Sequence, residues 1–502
     1  MAEFLKKLVS FATRSGRIAT IDAAKAAPPP SPLAPIDLSD HSQVAGVMNL
    51  AARIGDILLS SGTSNNDTRA QVRAVTSAYG LYYCHVDITM NTITIFTNIG
   101  VERKTPVSVF RVVRKLDTDF SKLSEVDRLI RSIQAGATPP DVAEKILEEL
   151  EQSPASYGFP TALFGWGVMG GAVAIMLGGG WIVSLISFVT SIIIIGSSAI
   201  LGRHGLPQFF QNVLGGFIAT MPAAVAYSIA VDFGFQIKPS QIIASGIIVM
   251  LAGLTLVQSL QDGITGAPVT ASARFFETLL FTGGIVAGVG LGIQLSGAIG
   301  VNLPPLETIA AANPASTLVR ILAGGVTAAG FAVGCYAEWS SVLLAGVTAS
   351  VGSIFYYSML LTGWAGPVIA AATAATAIGF AGGLLARRFL IPPLIIAIAG
   401  ITPMLPGLSV YRGMYAALHD QMLVGFTNVA VAMATACSLA AGVVFGEWVA
   451  RRLRRPPTIK PYKALIKATQ FSFRELRASE NQRREARAAR QTSRNQSQRK
   501  LP

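Results

Sequence analysis

The run Gln258-Ser259-Leu260-Gln261-Asp262-Gly263-Ile264-Thr265-Gly266-Ala267-Pro268-Val269-Thr270 concentrates amides, hydroxyls, glycines and a carboxylate within a stretch otherwise nearly free of charge. A broken helix or re-entrant turn there would expose backbone groups. With Gln258, Gln261, Thr265 and Thr270, these could hold the ammonium and carboxylate of a small zwitterion, and Asp262 could carry a proton. The competing reading is an ordinary loop between apolar segments. Arg274 and Glu277 stand three residues apart on one helical side, as an interfacial ion pair or as a proton-coupled pair that opens during a cycle. Glu338, beside Trp339, suits either a proton carrier or a helix end at the aromatic belt. The run Thr402-Pro403-Met404-Leu405-Pro406-Gly407-Leu408-Ser409-Val410-Tyr411-Arg412 carries two prolines that would free carbonyls to line a cavity. Thr402, Ser409 and Tyr411 are its candidate ligand contacts, and Tyr411 with Arg412 could instead anchor at the outer interface.

Ser60, Ser61, His85 and Asp87 are the raw materials of a hydrolytic site. No nucleophile elbow, P-loop or metal-ligand spacing accompanies them, so no catalytic residue, cofactor or metal is assigned. Asp67 is placed as a helix N-cap, and His85 in a strand fits a structural role. The three cysteines, Cys84, Cys335 and Cys437, are widely spaced and form no metal or redox pattern. Without a nucleotide motif, primary active transport would need a separate ATPase subunit.

These residues need a membrane to position them. The 502 residues are 51% hydrophobic and 13% charged, with mean hydropathy +0.51. That is too apolar for an ordinary soluble protein. On the criterion of roughly 20 apolar residues per span, ten spans are expected, at about 160–178, 181–201, 211–232, 241–259, 274–295, 318–337, 340–361, 364–386, 391–407 and 422–449. With the N-terminus inside, Arg203, Arg274, Arg387, Arg388 and the arginines after Ala450 all fall on the cytoplasmic side of a cell membrane. Lys238, Arg412 and Arg320 fall outside, which satisfies the positive-inside rule with both termini in the cytoplasm.

An internal repeat divides the membrane block. Gly167-Val168, Ala174, Trp181, Leu185 and Val189-Thr190 recur as Gly325-Val326, Ala332, Trp339, Leu343 and Val347-Thr348. Pro239, Ile242, Gly246-Ile247, Met250-Leu251 and Gly253-Leu254 recur as Pro393, Ile396, Gly400-Ile401, Met404-Leu405 and Gly407-Leu408. Ala287-Gly288-Val289 with Gly292 recurs as Ala441-Gly442-Val443 with Gly446, all at shifts of 154 to 158 residues. Five spans per half is an odd number, so the second half must enter from the opposite side. The expected fold is a polytopic α-helical membrane protein of about ten transmembrane helices in two inverted five-helix repeats, 157–300 and 301–450, with a binding site near the midplane between them.

Outside the membrane block, residues 1–39 combine a basic amphipathic start with the Pro-rich linker around Pro28-Pro29-Pro30. Residues 40–156 alternate helical and strand patterns: helices over 44–60, 68–78, 121–135 and 140–151, strands over 82–88, 92–96 and 107–113. This predicts a small α+β cytoplasmic N-terminal domain. Residues 451–502 hold sixteen Lys and Arg against three Glu, a surplus equal to the whole formal net charge of +13. Directly after a span, such a tail, largely disordered at its end, suits anionic lipid headgroups; no nucleic-acid module is present.

Three stretches resemble the threonine/serine exporter family: Ser60-Ser61-Gly62-Thr63-Ser64-Asn65 through His85-Val86-Asp87-Ile88-Thr89, residues 258–274, and Gly334-Cys335-Tyr336-Ala337-Glu338-Trp339. The resemblance covers nearly the whole chain and fades in the basic tail. It implies efflux of L-threonine and L-serine driven by the proton motive force, by ten spans behind a cytoplasmic domain. No individual binding residue is carried over from it. A membrane-anchored hydrolase and a small-solute channel are the alternatives; oligomeric state is left open, a homo-oligomer included.

Overall fold

A computed structural model describes residues 36–37, 40–99, 105–113, 118–234, 237–250, 252–301, 303, 314–418 and 421–453, which form one compact unit. The amphipathic N-terminus, the Pro-rich linker, Glu307, Asp420 and the tail beyond Leu453 lie outside them, as does the side chain of Tyr411.

Helix α1 (His41–Ser60) begins where the Asp40 carboxylate accepts the Ser42 N–H at 2.8 Å. Helix α2 (Asn65–Ala78) is capped by Ser64 rather than by Asp67. The Ser64 hydroxyl accepts the Asp67 N–H at 3.2 Å and donates to the Asp67 carboxylate at 3.1 Å. Asp67 thus takes the third helical position, and the helix starts ahead of the apolar periodicity that marks it. Strands β1 (His85–Thr89), β2 (Thr92–Ile99) and β3 (Thr105–Val112) pair antiparallel in that order. The β1–β2 hairpin closes through Met90, a non-glycine residue at φ 55. Helices α3 (Phe120–Gln134) and α4 (Pro140–Gln152) complete this N-terminal group. Its core holds Met48, Ile54, Leu58, Ile93 and Ile95, all almost fully buried. Burial pushes the Cys84 thiol above its ordinary range.

Eight helices among the described residues are long and apolar enough to cross a membrane, or up to ten if each of two bent pairs counts as one span. In chain order they begin with α5 (Phe159–Met176), α6 (Trp181–Arg203) and α7 (Gln208–Asp232). A pair bent by 44° follows, α8 (Pro239–Val249) and α9 (Ala252–Ile264), and then α10 (Pro268–Ala298). The second series is α11 (Pro314–Gly334), α12 (Trp339–Thr362) and α13 (Pro367–Phe389). It continues with a pair bent by 48°, α14 (Pro393–Ile401) and α15 (Gly407–Leu418), and closes with α16 (Met422–Leu453). Pro403 and Pro406 account for the second break, since neither offers an N–H to continue the helix.

The first break is not where the polar run suggested. Residues 258–264 are helical to Ile264, only the turn at 265–267 interrupts the chain, and α10 starts at Pro268 rather than at 274. The bend lies earlier, between Val249 and Ala252.

The same neighbours recur in both series. The first helix packs on the second, the second on the third and the third on the fifth, while the short helix of each bent pair touches the first three. Close backbone approach recurs with them. A Cβ on Gly288 would collide with the Val213 carbonyl, and one on Gly442 with the Ala372 carbonyl. Phe120 packs edge-on against Phe331 with ring centroids 6.0 Å apart, so the N-terminal core continues into α11.

Candidate functional site

The two breaks meet. A Cβ on Gly253, at the start of α9, would lie 2.8 Å from the Gly407 nitrogen and 3.2 Å from its Cα. A Cβ on Gly407 would lie 3.4 Å from the Gly253 nitrogen. These two glycines are the positions that the sequence repeat equates, and only the absence of side chains lets the strands of backbone touch. Around the second break, Thr402 is buried and donates to the Ile398 carbonyl at 2.9 Å, and Ser409 is half-buried on α15. Tyr411 lies on the same helix.

Along α9 the lining turns polar. The hydroxyls of Thr255 and Thr278 stand 2.9 Å apart, linking α9 to α10. At a rise of about 1.5 Å per residue, Asp262 lies roughly 14 Å beyond Gly253. Its carboxylate is 1% exposed and accepts Arg274 Nη1 at 2.8 Å. The tight turn after Ile264 folds α10 back on α9, so Arg274 reaches Asp262 and not Glu277, the partner its spacing suggested. Glu277 is half-buried on α10.

Residues of the N-terminal group close this end. The Asn65 N–H donates to Asp262 Oδ1 at 3.4 Å, and Asn65 Nδ2 donates to Thr270 Oγ1 at 2.7 Å. The same Thr270 oxygen accepts the Met90 N–H at 3.0 Å, so the strained tip of the β1–β2 hairpin is held against the start of α10. Gln258 lies against Gly62, whose φ of +89 a side chain rarely tolerates. Arg451, at the end of α16, bonds Glu447 at 2.7 Å and stands 4.0 Å from the Asp67 carboxylate.

A second contact surface involves Glu338, which precedes α12. Arg128 on α3 grips it with Nη2 at 2.7 and 2.8 Å, and the Phe120 N–H donates to the Cys335 carbonyl at 2.9 Å. The Tyr157 hydroxyl reaches the Val333 carbonyl at 2.9 Å beside it. Because Arg128 and Glu338 keep 47% and 26% of their side-chain exposure, solvent screens the pair. A double-mutant cycle with Arg128→Ala and Glu338→Gln, read by thermal unfolding in detergent, is expected to give a coupling of about 1 kcal/mol or less. A coupling several times larger would mean a drier pair than its exposure indicates.

Of the residues singled out in the sequence, Gln258, Asp262, Thr270 and Arg274 gather at the α9–α10 junction. Gln261 and Thr265 bond within their own turn, Thr265 Oγ1 donating to the Gln261 carbonyl at 2.9 Å. Thr402 and Ser409 belong to the other break, and Glu338 to the α11–α12 link. Sequence reading missed Asn65, Arg128, Arg451 and the Thr255–Thr278 pair. His85 is exposed on β1, and Asp87 faces Arg69 at 3.5 Å.

Apolar helices in two matching series, with two broken pairs crossing at their glycines and a buried ion pair at one end, make this a multi-pass membrane protein. Residues 49–296 match the family model described as "Putative threonine/serine exporter", and residues 320–449 the one described as "Threonine/Serine exporter, ThrE". The chain is 77% identical over 478 residues to the threonine/serine exporter of Corynebacterium glutamicum, covering 95% of this chain and 97% of that protein. It is 37% identical over 421 residues to a protein of Mycobacterium tuberculosis named "Probable threonine/serine exporter", covering 83% and 78% respectively. No solved structure matches. The chain belongs to the threonine/serine exporter family, and is accordingly a transporter and not an enzyme.

Proposed function

We propose that the protein exports L-threonine and L-serine across the cell membrane by proton antiport, with two inverted five-helix halves rocking about the crossing of Gly253 and Gly407. The observation that carries this reading is the buried Asp262–Arg274 pair at the end of a broken, apolar helix. A charge pair in such a place is costly unless it is used. A proton on Asp262 cancels the attraction that holds Arg274, so the pair can open and close with protonation. The amides and hydroxyls of Gln258, Gln261, Thr265, Thr270, Thr402, Ser409 and Tyr411 supply contacts for the solute's ammonium, carboxylate and hydroxyl as the halves move. Glu277 and Glu338 are secondary proton carriers in this scheme.

A repeat is supported by the recurring helix neighbours and by the gap between the two family models, which separates the two series at 297–319; its inversion follows in this reading from five spans per half. A cytoplasmic α+β domain over 40–156 is supported by the contact points of the N-terminal group. The α9–α10 turn, the α11–α12 link and the end of α16 all fall on the side that positive charge assigns to the cytoplasm. The basic tail then lies against anionic headgroups on that side.

Proteoliposomes loaded with labelled threonine provide the test. Release is expected to accelerate when a proton gradient is imposed, to saturate, and to prefer the L-isomer. Release indifferent to the gradient would remove proton coupling, and non-saturable release without stereochemical preference would indicate a channel.

A further inference from the structure

The N-terminal group carries an open cleft of about 640 Å³ that lies apart from the crossing helices. Its wall is formed by the last turn of α1, the end of β3, the first turn of α3 and Glu151 of α4. We propose that this cavity binds a free α-amino acid, preferentially one with a hydroxyl side chain, as a site separate from the translocation path. The choice of threonine and serine as its ligands rests on the export reading above; the existence of the site does not.

Charge selects the ligand class. Three carboxylates line the cavity (Asp56, Asp119 and Glu151) against two cations, Arg111 and Lys122. With Arg53 paired to Glu151 the wall carries charges of both signs in balance, which suits a zwitterion better than an ion of one sign. Arg111 Nε is taken by Asp56 Oδ2 at 2.6 Å, and both Glu151 oxygens are taken by Arg53, Nε to Oε1 at 3.1 Å and Nη2 to Oε2 at 2.8 Å. Lys122 differs: its Nζ donates to the Glu151 backbone carbonyl at 3.3 Å and has no carboxylate partner among the described residues. It is the cation placed to receive the ligand's carboxylate, with the second oxygen of Asp56, which Arg111 leaves open, as the partner for the ammonium.

Ser60 supplies the hydroxyl preference. Ser60 Oγ donates to the Ile57 carbonyl at 3.0 Å, and Ser61 Oγ donates to the Asp119 carbonyl at 3.5 Å. The Ser60 proton is spent within the protein, so its oxygen offers acceptor lone pairs to an incoming hydroxyl, while Ser61 is 1% exposed and backs the wall. The exposed ring of Phe110 and the side chain of Ile57 cover the aliphatic part. Occupancy has a short route to the membrane site. The chain runs from Ser61 through Gly62, which rests on Gln258, to Asn65, which bonds Asp262 and Thr270.

Phe110→Trp in the full-length protein in detergent places a local fluorophore at the cavity mouth. Titration with L-threonine or L-serine is expected to give a saturable change in emission that the parent protein lacks and that acetate, without an ammonium, does not produce. Adding Lys122→Met should weaken the apparent affinity at least about tenfold, while Lys122→Arg retains it and circular dichroism confirms the fold of each. Asp262→Asn should leave the titration saturable and still dependent on Lys122, because the ligand contacts lie within the N-terminal group. No saturable signal from a Phe110→Trp protein that still exports threonine would overturn the proposal. So would a signal that disappears with Asp262→Asn and ignores Lys122→Met. Should threonine flux fail while the Phe110→Trp titration persists, the export reading falls and this site stands.

Discussion

Asp262→Asn is expected to reduce gradient-driven threonine release by at least about tenfold while leaving the protein folded and inserted. The side chain is 1% exposed and its partner Arg274 12%, at 2.8 Å. Asparagine keeps the volume and removes both the charge and the proton site. It also strands Arg274, and removing one member of a buried pair typically costs about 3–5 kcal/mol. Loss of stability and loss of coupling therefore need separating. Combining Asp262→Asn with Arg274→Gln removes both charges and should recover much of the thermal stability, yet gradient-driven flux should stay low. Asp262→Glu, which retains a carboxylate, should keep partial coupling. Wild-type flux from Asp262→Asn would reduce the pair to a fixed strut between α9 and α10.

Gly253→Val is expected to abolish transport and lower Tm in detergent by several degrees. The neighbours that its Cβ would meet are the nitrogen and Cα of Gly407 and the Cβ of Leu405, at 2.8 to 3.2 Å. Backbone cannot turn aside as a side chain end can, so the two broken helices must separate. Overpacking of this kind costs about 1–3 kcal/mol. Gly253→Ala should show a milder form of both effects. Gly290→Ala, on α10 with no atom within 4 Å of the added Cβ, is the matched control and should behave as the parent. Equal behaviour of Gly253→Ala and Gly290→Ala would mean that the crossing neither bears load nor moves.

The membrane helices were readable because apolar length is a one-dimensional property. Eight of the expected spans fall on single helices, and the fourth and ninth on the two bent pairs. Even the bends left a trace, since Pro403 and Pro406 mark one and the Gly253 repeat marks the other. The polar run at 258–270 misled for a physical reason. Gln258, Ser259, Gln261 and Asp262 look like loop residues by composition, but each finds its setting on a helix packed against α10 and the N-terminal group. Arg274 was paired with Glu277 on helical spacing, which knows nothing of the turn at 265–267 that brings Asp262 closer. Asn65 could not be found at all from one sequence. Its partners lie about 200 residues away, and nothing local to Gly62-Thr63-Ser64-Asn65 names them. The capping error at Asp67 was smaller: Ser64 and Asp67 are both strong cap formers, and the reciprocal bonds between them decide which one ends the helix.

The seat of the Asn65–Asp67 segment carries a consequence for how the molecule is made. Its contacts are drawn from the α9–α10 turn in the middle of the chain and from Arg451 at the far end of the last helix. Early in synthesis the N-terminal group can condense around its own apolar core, since α1, the sheet and α3 supply most of it. It has nowhere to lodge until α10 is threaded, and its seat is incomplete until α16 has entered the bilayer. The first-made part of the chain thus docks last, on the part made last. A chain that stalls short of α16 leaves Asp67 without Arg451.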